Sequence, residues 1–158
     1  MYPQTHFLFS FLVGLIFFKT GVIDLRMALL VAVVGLLVDL DHYITFIIKY
    51  KAKDFKIKDA WNRAVKGMYR GRSFIHHTIG IVWITVILIL LFFGNRYWFW
   101  IFSLGYYSHL FMDYAHLNFL RIREKMTIKK FGFKEKIEKF EVLLDIFLLI
   151  IVVILLVV

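Results

Sequence analysis

The sequence predicts an all-α fold: a single integral membrane domain, residues 1–158, forming a helical bundle of about five transmembrane helices plus a basic amphipathic interfacial helix. Three observations lead there. Hydrophobic residues make up 61% of the chain and mean hydropathy is +0.78, where a typical soluble domain is roughly 45–50% apolar. The apolar residues fall into five runs separated by polar links, with no internal repeat. The net charge of +9 is concentrated in two of those links, residues 49–72 and 121–139.

The first run covers residues 6–18 and is short for a span, which takes about 20 residues. It lacks the basic start and small-residue cleavage site of a signal peptide, so it reads as a retained segment. A polar link from Lys19 to Arg26 follows. The second run, Met27 to Ile48, is Leu/Val-rich and then reads Val38-Asp39-Leu40-Asp41-His42 in its last third. Residues 49–72 are strongly basic, with Phe55, Ile57, Ala60, Trp61, Ala64, Val65 and Met68 at helical spacing. That pattern predicts an amphipathic helix lying on lipid headgroups.

The third run, Phe74 to Phe93, opens Phe74-Ile75-His76-His77-Thr78. Gly94-Asn95-Arg96 reads as a tight turn. The fourth, Tyr97 to Leu120, starts on an aromatic interface anchor, Tyr97-Trp98-Phe99-Trp100. It then carries His109, Asp113 and His116, which project from one helix face. The fifth, Glu141 to Val158, is almost pure Leu/Ile/Val apart from Glu141 and Asp145 at its start, and a structural role is expected for Asp145.

Several function classes drop out. With no cysteine there is no disulfide, no thiolate metal site and no cysteine nucleophile. No Gly-rich phosphate loop or Gly-x-Ser-x-Gly elbow is present. In a chain this apolar, basic links point to the cytoplasm and to anionic lipid rather than to nucleic acid. The expected partner is therefore membrane lipid with anionic headgroups.

The positive-inside rule puts residues 49–72 and 121–139 in the cytoplasm, with the N-terminus inside and the C-terminus outside. On that map all six histidines lie toward the cytoplasmic side, together with Asp39, Asp41 and Asp113. The rule used only Lys and Arg, so the convergence is independent of it. A charged carboxylate at bilayer depth costs about 2.5–3.5 kcal/mol on insertion scales, and such residues are functional by default. Histidine nitrogen and carboxylate oxygen are ligands of a borderline divalent cation. The candidate metal ligands are His6, Asp39, Asp41, His42, His76, His77, His109 and Asp113. On an unbroken helix Asp39 and His42 share a face, while Asp41 points about 160° from Asp39. His76 and His77 are about 100° apart, so only one need point inward. Zinc suits the set best, as one or two ions, with manganese as the alternative. Asp39 or Asp41 is the candidate catalytic base. Arg70, Arg72 and His116 are candidates for holding substrate, although for the two arginines contact with anionic lipid is slightly favoured.

These residues, at these intervals, resemble the membrane-bound metal-dependent hydrolase family, the YdjM-like, LexA-binding inner-membrane hydrolases, over roughly residues 5–120. The family pattern runs Thr-His, Pro-Asp-x-Asp-His, His-Arg-Gly/Ser-x-x-His-Ser and Gly-Tyr-x-Ser-His-x-x-x-Asp. Here it reads Thr5-His6, Val38-Asp39-Leu40-Asp41-His42, Arg72-Ser73-Phe74-Ile75-His76-His77-Thr78 and Gly105-Tyr106-Tyr107-Ser108-His109-Leu110-Phe111-Met112-Asp113. Val38 stands where the family has Pro, which predicts a second helix unbroken at that point. The first His of the third motif is absent. The family is distantly similar to zinc-dependent phospholipases C, which implies phosphodiester hydrolysis. The expectation is thus a membrane-embedded metal-dependent hydrolase acting on a phospholipid or lipid-linked phosphoester at the cytoplasmic face. The alternatives are a divalent-metal or proton transporter, which needs polar groups across the whole membrane, and a non-catalytic scaffold working through its basic segments.

Overall fold

The computed structural model describes residues 3–40, 74–118, 125–130 and 133–157, and side chains outside residues 116–139. Among the described residues there are five α-helices: α1 (Pro3–Lys19), α2 (Leu25–Leu37), α3 (Thr78–Gly94), α4 (Arg96–Asn118) and α5 (Lys139–Val157). A 3-10 turn, Phe74–His76, leads into α3. The helical architecture predicted for the apolar runs is present. Between α4 and α5 the chain adds a two-stranded antiparallel hairpin, β1 (Lys125–Lys130) with β2 (Phe133–Glu138), in register from Lys125↔Glu138 to Lys130↔Phe133. The surface helix expected within residues 49–72 lies outside the described residues.

Local chemistry sets the turns. Gly21 takes φ +75° just past α1, and its N–H and that of Val22 donate to Phe18 O and Phe17 O at 2.9 and 3.1 Å. This is a Schellman stop, which favours glycine because the left-handed region penalises a Cβ. Asp24 then caps α2 by accepting the Met27 N–H at 2.7 Å. Asn95 both ends α3 and starts α4, its side chain accepting the Trp98 N–H at 3.3 Å. Both links are short, so α1 and α2 run antiparallel, as do α3 and α4.

α1 is the central helix, packed against α2, α4 and α5, while α3 packs on α4. Small residues let the backbones close up. A Cβ on Gly14 would come within 2.9 Å of Ala28 Cα, and one on Gly105 within 2.6 Å of Val34 Cγ1. This is how helices associate in lipid, where apolar side chains gain nothing from leaving their solvent. The buried apolar core joins Leu12, Leu15, Met27, Val31, Ile101, Leu148 and Val152. Outward faces are apolar as well. Ile79, Trp83, Ile87 and Leu90 on α3 and Leu143, Phe147 and Ile150 on α5 are all exposed. So continuous an apolar exterior is unlike a soluble monomer.

Among the described residues one helix, over Phe140–Val157, is both long and apolar enough to cross a membrane by length and composition. Leu25–Leu37 and Thr78–Gly94 are apolar but shorter. The second helix differs from expectation: α2 ends at Leu37, and Val38 and Asp39 form a turn even without proline.

Candidate metal centre

The antiparallel order of the helices brings five of the predicted residues to one end of the bundle. His6 sits in the first turns of α1. Asp39 lies in the turn that follows the C-terminus of α2. His76 closes the 3-10 turn ahead of α3, and His109 and Asp113 lie one turn apart in the C-terminal half of α4. The starts of α1 and α3 and the ends of α2 and α4 therefore meet. His6 and His109 are fully buried, at 1% and 0% exposure, and Asp39 and Asp113 are partly buried.

Asp113 is the hub. Its Oδ1 is 3.3 Å from His6 Nε2, and its Oδ2 is 3.4 Å from His76 Nε2 and 3.6 Å from His109 Nε2. Asp39 flanks the other side, with Oδ1 3.6 Å from His109 Nε2 and Oδ2 3.9 Å from His6 Nε2. His76 Nε2 and His109 Nε2 approach to 3.1 Å, and the His6 ring stacks on His109 with centroids 3.9 Å apart.

One hydrogen bond gives this cluster its chemical sense. His109 Nδ1 lies 2.8 Å from the backbone carbonyl of Gly35. A carbonyl only accepts, so Nδ1 carries the proton and Nε2 is the ring atom turned into the cluster, where it would offer its lone pair to a bound ion. That is the arrangement of a metal-ligating histidine, whose other nitrogen is held by a carbonyl or carboxylate. His6 is buried, and neither of its ring nitrogens has a hydrogen bond of good geometry among the described residues. Donors about 2.0–2.1 Å from one tetrahedral ion would stand about 3.3–3.4 Å apart. The observed Nε2–Nε2 and Nε2–oxygen separations of 3.1–3.9 Å bracket that edge. Two overlapping groups, His6/His109/Asp113 and Asp39/His76/His109, have their ligand atoms within 4.8 Å of one another and could hold a metal ion.

The surroundings fix the donors. A Cβ on Gly35 would collide with the Ser10 side chain, so glycine is what lets the carbonyl reach His109 while α1 and α2 stay in contact. Ser10 and Ser108 share a buried 2.7 Å hydrogen bond that ties α1 to α4 beside His109. The buried Tyr106 hydroxyl donates to Ile75 O at 2.8 Å and so holds the turn that presents His76. Gly105, Tyr106, Ser108, His109 and Asp113 of one sequence motif thus each do a separate job: close approach, turn anchor, helix tie and two donors.

The structure also separates residues that the sequence left together. His77 is exposed at the N-cap of α3, away from the cluster that holds His76. Asp41, His42, Arg70 and Arg72 lie outside the described residues, as does the side chain of His116. The sequence reading missed the Gly35 carbonyl, the Ser10–Ser108 pair and the buried Glu141, which accepts from Thr5 at 3.1 Å.

Fold, apolar exterior and buried His/Asp cluster define a helical membrane protein whose polar centre lies at one end of the bundle. The chain belongs to the YdjM inner membrane protein family, whose model matches residues 1–118. No curated protein and no solved structure matches it.

Proposed function

We propose that this protein is a multi-pass, metal-dependent membrane hydrolase that cleaves a phosphoester of a phospholipid or lipid-linked substrate at the cytoplasmic face. The observation that carries the reading is the His109 ring, pinned by Gly35 O at Nδ1 and turned by Nε2 toward His76, Asp39 and Asp113. Three imidazoles and two carboxylates, with no sulfur, suit zinc, and manganese is the second choice. A bound ion of this kind supplies Lewis-acid polarisation of a phosphoryl oxygen and acidifies a water molecule.

The chain's own residues divide the work. His6, His76, His109 and Asp113 would hold the ion, with Asp113 facing His6 through one oxygen and the other two rings through the second. Asp39 flanks the group from the other side, with Oδ1 3.6 Å from His109 Nε2 and Oδ2 3.9 Å from His6 Nε2. We assign it the role of general base. A second ion would draw on Asp41 and His42. Arg70 and Arg72 supply positive charge for an anionic headgroup.

The two basic links, residues 49–72 and 121–139, both join helices at the end that carries the cluster. The positive-inside rule therefore supports a cytoplasmic site, with five spans, the N-terminus inside and the C-terminus outside. A transporter is less well supported. Beyond the Ser10–Ser108 pair, Leu12, Leu15, Met27, Val31, Leu148 and Val152 form an apolar interior shared by α1, α2 and α5.

The test is phosphoester hydrolysis in mixed micelles of anionic phospholipid, with zinc or manganese added to detergent-purified protein. Metal-dependent release of the headgroup is expected, and Asp39→Asn should lower kcat by about 10²–10⁴-fold while retaining the ion. Equal turnover by wild type, Asp39→Asn and Asp113→Ala would refute the reading.

A further inference from the structure

α5 lies beyond the residues that the family model matches, and its sequence reads as an apolar run with two acids, Glu141 and Asp145, at its start. Glu141 is 3% exposed and accepts a hydrogen bond from the Thr5 hydroxyl at 3.1 Å, across the α1–α5 contact. Asp145, one turn on, faces Gln4, Thr5 and Glu141, and its Oδ1 is buried without a partner among the described residues. Thr5 is the residue next to His6, and both are fully buried. The first turn of α1 is therefore gripped from α5 immediately beside a cluster donor. Burying a carboxylate is costly unless it is hydrogen-bonded. The apolar contacts of Leu148 and Val152 already dock α5 against α1, so docking alone does not call for two acids.

We propose that Glu141 and Asp145 are positioning residues for His6, making α5 a working part of the metal centre. The proposal rests on the metal-site reading above. Glu141 acts through Thr5, fixing the rotation of the first turn of α1 and hence the direction of His6 Nε2 toward Asp113. Asp145 supports the same turn one step deeper. Groups hydrogen-bonded directly to a metal ligand typically change metal affinity about 10–100-fold when removed, and Glu141 and Asp145 stand one residue further out, so the lower end of that range is expected.

The experiment is metal affinity, read by competition with a chromophoric chelator, on full-length detergent-purified chain. The variants are Glu141→Leu, Glu141→Gln, Asp145→Leu, Thr5→Val and Leu148→Ala, each with its helix content measured. Glu141→Leu, Thr5→Val and Asp145→Leu should each weaken binding at least tenfold. Glu141→Gln keeps an oxygen acceptor for Thr5 and should stay within about threefold of wild type. Leu148→Ala loosens the packing of α5 without touching the polar grip, and its affinity should be unchanged. The Glu141→Leu/Thr5→Val double variant should bind like Thr5→Val alone, because that substitution already removes the link through Glu141. The proposal fails if wild type binds metal and Glu141→Leu binds equally well, or if Leu148→Ala weakens binding as much. Folded wild type that binds no metal overturns the metal-site reading itself, and the proposal with it.

Discussion

The ring of His109 is held at one edge by a carbonyl that only a glycine can deliver, and that dependence is testable. Gly35→Ala places a methyl against the Ser10 side chain and pushes α2 from α1, moving the carbonyl off Nδ1. Overpacking of this kind costs about 1–3 kcal/mol, so the variant should unfold at lower denaturant concentration and lose its metal affinity together. A milder lesion separates the two effects. Tyr106→Phe removes one hydrogen bond to Ile75 O, worth about 0.5–1.5 kcal/mol, and should weaken metal binding several-fold through His76 with little change in helix content. Unchanged affinity would mean that His76 does not depend on the anchored turn. At this scale the donors were legible in the sequence, because ionisable side chains in an apolar run stand out. Their supports were not. A backbone carbonyl leaves no mark in a sequence, and Ser10 and Ser108 are 98 positions apart. Nor did the sequence alone decide between His76 and His77, since both precede a helix whose rotation is set by its packing on α4.

At the scale of elements, α4 was the most readable, because His109 and Asp113 at i, i+4 fix one face whatever the helix touches. α2 was less so. Its apolar run continues past Leu37, yet α2 ends there and Val38 and Asp39 form a turn, while His42 lies outside the described residues. The hairpin after α4 was passed over as a basic link, although Lys125-Met126-Thr127-Ile128 alternates with period two. The helices also make unlike demands on substitution. Ile87, midway along α3, is 58% exposed, whereas Leu15 on α1 is fully buried. Ile87→Lys should impair membrane insertion by about 2.5–3.5 kcal/mol in a translocon assay. Leu15→Ala should insert normally but destabilise the folded bundle by about 2–5 kcal/mol. Free insertion of the Ile87→Lys chain would place the outer face of α3 in water or against protein instead of lipid.

For the whole molecule, the sequence map expects all six histidines at one depth, and among the described residues His6, His76 and His109 do come together while His77 is exposed. The orientation proposed from the basic links can be checked directly. The chain contains no cysteine, so single cysteines can be introduced on a clean background. Asn95→Cys, in the α3–α4 link, should react with a membrane-impermeant maleimide on intact cells, and Lys130→Cys in the hairpin only after permeabilisation. The reverse pattern would put the cluster outside and remove the cytoplasmic substrate. The central claim is nearer the centre of the molecule: His109, Asp113 and their neighbours are gathered to hold a divalent ion. Elemental analysis of detergent-purified protein, wild type beside His109→Ala and Asp113→Ala, tests it most directly. The account predicts near-stoichiometric zinc or manganese in wild type and its loss in both variants, with helix content preserved. Folded wild type that holds no ion even after refilling, or variants that hold as much as wild type, would contradict it.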